Sequence, residues 1–283
     1  LVEDNYVFQC DGEEVKFTTE MARLVTDIHN GPGTSPKTPL FPGFSSSVSL
    51  GTIANITVSK DGVRSQNPFR ISATFLKNLV LKDRNFDLST LETSLFYELF
   101  GRASYELGGL LNADNPDLSL LQASGTKMLT WHGYDDQMIP FQNTVAYRKR
   151  VEGVMGGARE VDNYYRLFLA PGVIHCGGGI GPVPKDPLGA LVDWVEHDNA
   201  PEVLPAETTD PNGHLVTRDL CAWPAKAKYM GIGDAKRASS WSCEGGTERM
   251  SKLEHSRDSG RTQQILMDLS NRLSNLGLGL SIG

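Results

Sequence analysis

A chain of 283 residues, 39% of them hydrophobic, is long enough for one large or two ordinary domains around a real core. Its formal net charge of −7 and the lack of any Lys/Arg-rich block argue against nucleic acid and anionic membrane surfaces as partners. No apolar run reaches the length of a bilayer span.

The first clear element is a helix from Thr18 to His29, where Met21, Leu24, Val25 and Ile28 recur at three- and four-residue steps until Asn30-Gly31-Pro32-Gly33 stops it. Between Thr34 and Gly51 the composition is mostly Pro, Gly, Ser and Thr, broken by Leu40, Phe41 and Phe44, and it predicts a long loop. Phe69–Leu81 and Leu88–Leu110 each carry an apolar face and read as helices. A polar turn follows at 111–117, with Asp117 placed to cap a short Leu118–Leu121 segment.

From Gly125 the texture changes. Lys127–Gly133 reads as a strand, followed by a loop holding Asp135 and Asp136. Asn143–Met155 reads as a helix with Val145, Tyr147 and Val151 inward. Tyr165–Ala170 is an apolar and aromatic run of strand length, stopped by Pro171-Gly172 and followed at once by His175, Cys176 and three glycines. A helix then starts at Pro187 and carries Leu188, Leu191, Val192, Trp194 and Val195. This alternation of strand, loop, helix, strand, loop, helix predicts a mostly parallel α/β sheet. Residues 199–245 read as a proline- and cysteine-bearing wrap with little secondary structure. The polar stretch 247–283, with its stripe Ile265, Leu266, Leu269, Leu273 and Leu276, reads as a disordered tail holding one marginal helix.

The cysteines Cys10, Cys176, Cys221 and Cys243 are even in number and have none of the CxxC spacing of a metal site. Asn55-Ile56-Thr57 is a glycosylation acceptor. The chain begins at Leu1 with neither an initiator methionine nor a signal peptide, so a processed or fragmentary chain is expected, and the whole pattern leans towards secretion.

An acid on the loop after one strand and a histidine on the loop after the next match the second half of a hydrolase triad, whose chain order is Ser, then Asp or Glu, then His. Asp136 and His175 fit that order. The acid would hold the imidazole in one tautomer, and the imidazole would take a proton from serine and return it to the leaving alcohol. The plainer alternative is a core strand followed by a flexible turn with an incidental histidine. No G-x-S-x-G occurs before Asp136, where the triad order would need it: Gly43-Phe44-Ser45-Ser46-Ser47 lacks both the second glycine and a strand–helix setting. The nucleophile is expected outside this chain.

Three longer motifs resemble a known family. They are Trp131-His132-Gly133-x-x-Asp136-x-x-Ile139-Pro140, then Tyr165 through Pro171-Gly172-x-x-His175-Cys176-Gly177-Gly178-Gly179, then Ala190-Leu191-Val192-x-Trp194-Val195-Glu196. With Leu220-Cys221 and Ala238-Ser239-Ser240-Trp241-Ser242-Cys243 they resemble the C-terminal half of the tannase and feruloyl esterase family, over roughly Leu1 to Gly245.

The resemblance implies an α/β-hydrolase fold, partial because the serine-bearing N-terminal half is absent, with an inserted lid domain. Residues 1–124 would be most of the lid and 125–246 the C-terminal part of the catalytic domain, while 247–283 matches nothing in the family. It implies Asp136, not its neighbour Asp135, as the acid and His175 as the base of a Ser-Asp-His carboxylic ester hydrolase. The substrates would be phenolic-acid esters, feruloyl esters first and galloyl esters second, and no catalytic cofactor is expected. Phe41, Phe44, Phe69 and Phe75 are candidate lining residues for the phenolic pocket, with ordinary core packing as the plainer alternative for each.

It also implies a Cys221–Cys243 disulfide, with Cys176 paired to a cysteine beside the absent serine and Cys10 to one upstream of Leu1. A structural calcium in the lid would use the Leu1 carbonyl, although the family's calcium-binding aspartates are absent here. The expected partners are the phenolic ester and the missing N-terminal half of the same enzyme. The competing readings are a non-catalytic binding remnant and one subunit of a processed two-chain enzyme.

Overall fold

The computed structural model describes residues 6–245 except 11, 36, 37, 54 and 62. Leu1 and the predicted tail from 247 onward lie outside them. The N-terminal part is a series of hairpins and helices. Strands β1 (Val7–Cys10) and β2 (Glu13–Lys16) pair antiparallel and lead into helix α1 (Thr19–Asn30). The Thr18 hydroxyl caps α1 by accepting from the Met21 N–H at 3.3 Å, satisfying one of the free donors of the first turn.

The expected long loop after α1 is partly structured. Strands β3 (Gly33–Ser35) and β4 (Thr38–Pro39) form a short hairpin, and a 3-10 turn covers Leu50–Thr52. A further antiparallel hairpin follows, β5 (Asn55–Val58) with β6 (Arg64–Asn67). The helix expected over 69–81 divides into α2 (Arg70–Phe75) and a π-helical turn over Leu76–Val80. Helix α3 (Thr93–Leu111) and the short α4 (Ser119–Ala123) complete this part, with Asp117 Oδ1 accepting from the Ser119 N–H at 2.9 Å.

The C-terminal part is built around two parallel strands, β7 (Met128–Gly133) and β8 (Tyr165–Ala170). They are joined through α5 (Phe141–Val154) and α6 (Ala158–Val161), with Met128 opposite Tyr165 and Gly133 opposite Ala170. Strand β8 is apolar on both sides because it has a core on each face. Successive side chains of a strand point to opposite faces. Phe168 and Ala170 therefore pack with Val173, Leu204, Ala206 and Leu220, while Tyr165 and Leu167 pack with Val151, Val161 and Tyr164.

Beyond β8 come β9 (Val183–Pro184) and helix α7 (Pro187–His197), whose cap Asp186 accepts from the Gly189 N–H at 2.7 Å. The segment 199–245 is then far from unstructured. Strands β10 (Val203–Thr209) and β11 (Leu215–Cys221) form a long antiparallel hairpin that extends through β9, and β12 (Lys226–Tyr229) pairs antiparallel with β13 (Trp241–Glu244).

The expectation of a mostly parallel sheet is corrected accordingly: β7 and β8 are parallel, whereas the pairings of β9 to β13 are antiparallel. The hairpin closes at Asp210, whose Oδ1 accepts from the Asn212 and His214 N–H groups at 2.9 Å each, an Asx-type turn. Among the described residues no helix is long and apolar enough to cross a membrane.

Candidate active site

Because β7 and β8 run parallel, the loops that leave them emerge at the same end of the sheet. The first carries Asp135, Asp136 and Gln137; the second carries His175 and Cys176. The two loops are pressed together by a glycine. A Cβ on Gly133 would sit 2.2 Å from the Val173 carbonyl oxygen, so the backbone of the histidine loop crosses directly over the end of β7. The Asp135 N–H donates to that same Val173 oxygen at 3.0 Å.

This crossing lays His175 on Asp136. The imidazole Nδ1 is 3.0 Å from Asp136 Oδ2 and 3.2 Å from Oδ1. Asp136 itself is buried, with a residue exposure of 4%. Its Oδ1 accepts from the backbone N–H groups of Met138 and Ile139, each at 2.8 Å. A second imidazole, His132, brings Nε2 to 3.1 Å from Oδ2. Burial pushes the Asp136 carboxyl up, but the two backbone N–H bonds and His175 together outweigh it and leave the group below the usual carboxylate range. The backbone N–H of His175 donates to Gln137 Oε1 at 3.2 Å, which fixes the loop as well as the ring.

An acid on Nδ1 holds the Nδ1–H tautomer and turns the Nε2 lone pair outward. His175 Nε2 has no protein hydrogen-bond partner among the described residues, and the side chain is 31% exposed. Such a ring can take a proton from a hydroxyl or a water placed above it.

The neighbouring acid is turned elsewhere. Asp135 Oδ1 accepts from the Ser47 hydroxyl, which also meets the Ser45 hydroxyl at 2.9 Å. Cys176 is an exposed free thiol directly after the histidine, with a positive φ of 57° that non-glycine residues rarely adopt. Cys221 and Cys243 are disulfide-bonded, joining the end of β11 to β13. Cys10 closes β1, and its side chain lies outside what is described, as does Leu1. Asn55 is exposed at the start of β5.

Of the four candidate pocket aromatics, Phe41, Phe44 and Phe69 are half-buried and Phe75 is exposed, and the Phe44 carbonyl oxygen meets His29 Nδ1 at 3.0 Å. No group of three or more His, Cys, Asp or Glu side chains among the described residues is arranged to hold a metal ion. The sequence alone assigns no role to His132, Gln137 or Ser47. His132 stood inside a quoted motif, whereas Gln137 and Ser47 carry no signal of their own.

The fold that delivers this pair is α/β-hydrolase-like. It is shared with the tannin acyl hydrolase of Aspergillus niger, at a TM-score of 0.72 and 19% identity over 83% of this chain and 44% of that one. The family model described as tannase and feruloyl esterase matches residues 13–244, and the chain belongs to that family. A probable feruloyl esterase of Arthroderma benhamiae is 42% identical over 239 residues, covering 83% of this chain and 44% of that protein. A tannase of Aspergillus oryzae is 33% identical over 145 residues, covering 46% of this chain and 25% of its own. The chain thus spans less than half the length of these relatives.

Proposed function

We propose that this chain is the lid and C-terminal catalytic part of a carboxylic ester hydrolase acting on phenolic-acid esters. Residues 1–124 form most of the lid and 125–246 carry the acid and the base. The observation that carries the reading is the Asp136–His175 pair, buried on its acid side and open at Nε2. His175 Nε2 takes the proton of a serine hydroxyl supplied from outside this chain while that oxygen attacks the ester carbonyl. The same proton then goes to the leaving alkoxide, and an acyl-serine remains. Water, deprotonated by the same nitrogen, releases the acid and restores the serine.

Cys176 would pair with a cysteine beside that serine and tie the two loops together. The Cys221–Cys243 bridge supports a secretory setting, where such bonds persist. Feruloyl esters are the first substrate class, since the 42% relative is named a probable feruloyl esterase, and galloyl esters are the alternative.

The test is co-expression with a serine-bearing N-terminal part of a family relative, assayed on methyl ferulate and methyl gallate. Both arms should hydrolyse above background only when the two parts are together, with ferulate faster, and His175→Ala should remove the activity. The chain alone should be inactive, because both the nucleophile and the oxyanion donors would be missing. Robust hydrolysis by the chain alone that survives His175→Ala places the active site elsewhere.

A further inference from the structure

The acid of the pair sits on a loop, and a loop is a poor place to hold a carboxylate in register. His132 and Thr144 lie on the two regular elements that flank this loop, β7 and α5. His132 Nε2 is 3.1 Å from Asp136 Oδ2 and 3.1 Å from the Ile139 carbonyl oxygen. A carbonyl oxygen only accepts, and so does an ionised carboxylate, so Nε2 must carry the proton and share it between them. His132 Nδ1 lies 2.8 Å from Thr144 Oγ1, and a hydroxyl can donate to it. All three contacts are met by a neutral, Nε2-protonated imidazole whose other nitrogen is capped by Thr144. That side chain is well covered, at 14% exposure.

We propose that His132 is a positioning residue for the acid: its Nε2–H, with Nδ1 capped by the Thr144 hydroxyl, anchors Asp136 to the strand and helix on either side of its loop. The carboxylate then has three donors besides His175. Met138 and Ile139 hold Oδ1 from within the loop, and His132 holds Oδ2 from the sheet. Rotation about the Cβ–Cγ bond would break one of them, so Oδ2 stays facing His175 Nδ1. The inference rests on reading Asp136 as the partner acid of His175.

The experiment is long-range proton–nitrogen NMR on the full chain labelled at its 6 histidines, together with exchange of the His175 Nδ1 proton with water. His132 should show a protonated Nε2 and a bare Nδ1. His132→Leu should speed exchange of the His175 Nδ1 proton about tenfold, the factor expected when a hydrogen bond to a charged group is lost. His132→Gln, whose amide nitrogen can reach the Nε2 position, should bring exchange back to within about threefold of wild type on the same scale.

A His132→Leu chain that melts lower but leaves the His175 proton unchanged overturns the proposal, and so does a wild-type His132 protonated at Nδ1. If His132→Leu does not fold, Thr144→Val reads the same device. It removes the cap on Nδ1 while the two acceptors keep the proton on Nε2, so the ring should loosen and the exchange speed up, and unchanged exchange overturns the proposal. Asp136→Asn separates this inference from the reading beneath it. If that variant leaves the His175 proton untouched, the acid assignment itself falls. If it acts while His132→Leu is silent, only the positioning role falls.

Discussion

Asp135 and Asp136 are consecutive, yet their carboxylates serve different parts of the molecule: Asp135 takes the Ser47 hydroxyl, while Asp136 takes the two imidazoles of His132 and His175. Substitutions at the two positions should therefore separate cleanly. On the proposed mechanism, Asp136→Asn should lower kcat of the chain co-expressed with a serine-bearing N-terminal part by about 10³- to 10⁴-fold, the loss expected when a triad histidine loses its orienting acid. Asp135→Asn should stay within about threefold, because it only weakens one hydrogen bond, to Ser47, that does not touch the imidazole. Its measurable effect belongs at residues 43–48, as faster amide exchange. A large kcat loss in Asp135→Asn with a silent Asp136→Asn would reverse the assignment.

The same carboxylate predicts a pH dependence of stability. The Asp136 carboxyl is held below its ordinary value of 3.8 despite its burial, because the bonds it accepts favour the ionised form. A group whose pKa is lower in the folded state contributes stability above its unfolded pKa and loses it as pH falls through the folded value. The stability gap between wild type and Asp136→Asn should therefore be constant near neutrality and shrink below about pH 4. Urea midpoints measured at neutral pH and in acid check the sign. A gap that grows on acidification would mean the carboxyl binds its proton more tightly when folded.

Arg148 on α5 is buried at 1% exposure, with its guanidinium meeting Glu152 Oε1 at 3.0 Å, Asp162 Oδ1 and the Tyr165 carbonyl oxygen, over the Tyr165 ring at 4.9 Å. Removing only the cation strands two carboxylates and the first carbonyl of β8. Arg148→Ala should cost about 3–5 kcal/mol in a urea titration, the range for breaking a buried pair from one side. A loss under about 1 kcal/mol would mean the cluster behaves as an exposed ion pair.

Both strands that frame the site were legible, because β8 is buried on both faces and reads as a continuous apolar run, and because Pro171-Gly172 ends it sharply. Helices α1 and α7 were legible through periodicity and stop or start signals such as Gly31 and Pro187. The β10–β11 hairpin was not. Pro201, Pro205 and Pro211 made its stretch read as coil, although Leu204 and Ala206 alternate inward and Asp210-Pro211-Asn212-Gly213 is a turn sequence. The pairing of Asp136 with His175 could be anticipated because chain order and loop position select those two residues. Ser47 could not, since it reaches Asp135 across 88 positions and nothing local marks it.

The Cys221–Cys243 bridge closes a segment with a sequence separation of 22 and ties β11 to β13. Restricting the unfolded chain over a loop of that size is worth about 3 kcal/mol. The paired substitution of both cysteines by serine should lower the urea midpoint accordingly, and a reductant should bring the wild type to the same value. A reductant effect on the wild type with none from the paired substitution would point to a different bridge.

Gly133 offers the sharpest link between packing and chemistry. A Cβ there would meet the Val173 carbonyl oxygen at 2.2 Å and its carbon at 2.8 Å, both backbone atoms that no side-chain rotation can move aside. Either the end of β7 or the loop carrying His175 must shift. Gly133→Ala should therefore cost about 1–3 kcal/mol of stability, the usual range for overpacking. Because the shift separates the acid from the imidazole, activity of the reconstituted enzyme should drop about 100-fold, the scale of a 1 Å misplacement. Gly153 on α5 supplies the control, since a Cβ there has nothing within 4 Å. At that helical position the same change should stabilise by about 0.5–1 kcal/mol through lost chain entropy, with activity unchanged. Should Gly133→Ala match Gly153→Ala in both melting and kcat, the histidine loop would not be held against β7 in solution, and the pairing of Asp136 with His175 would need another cause.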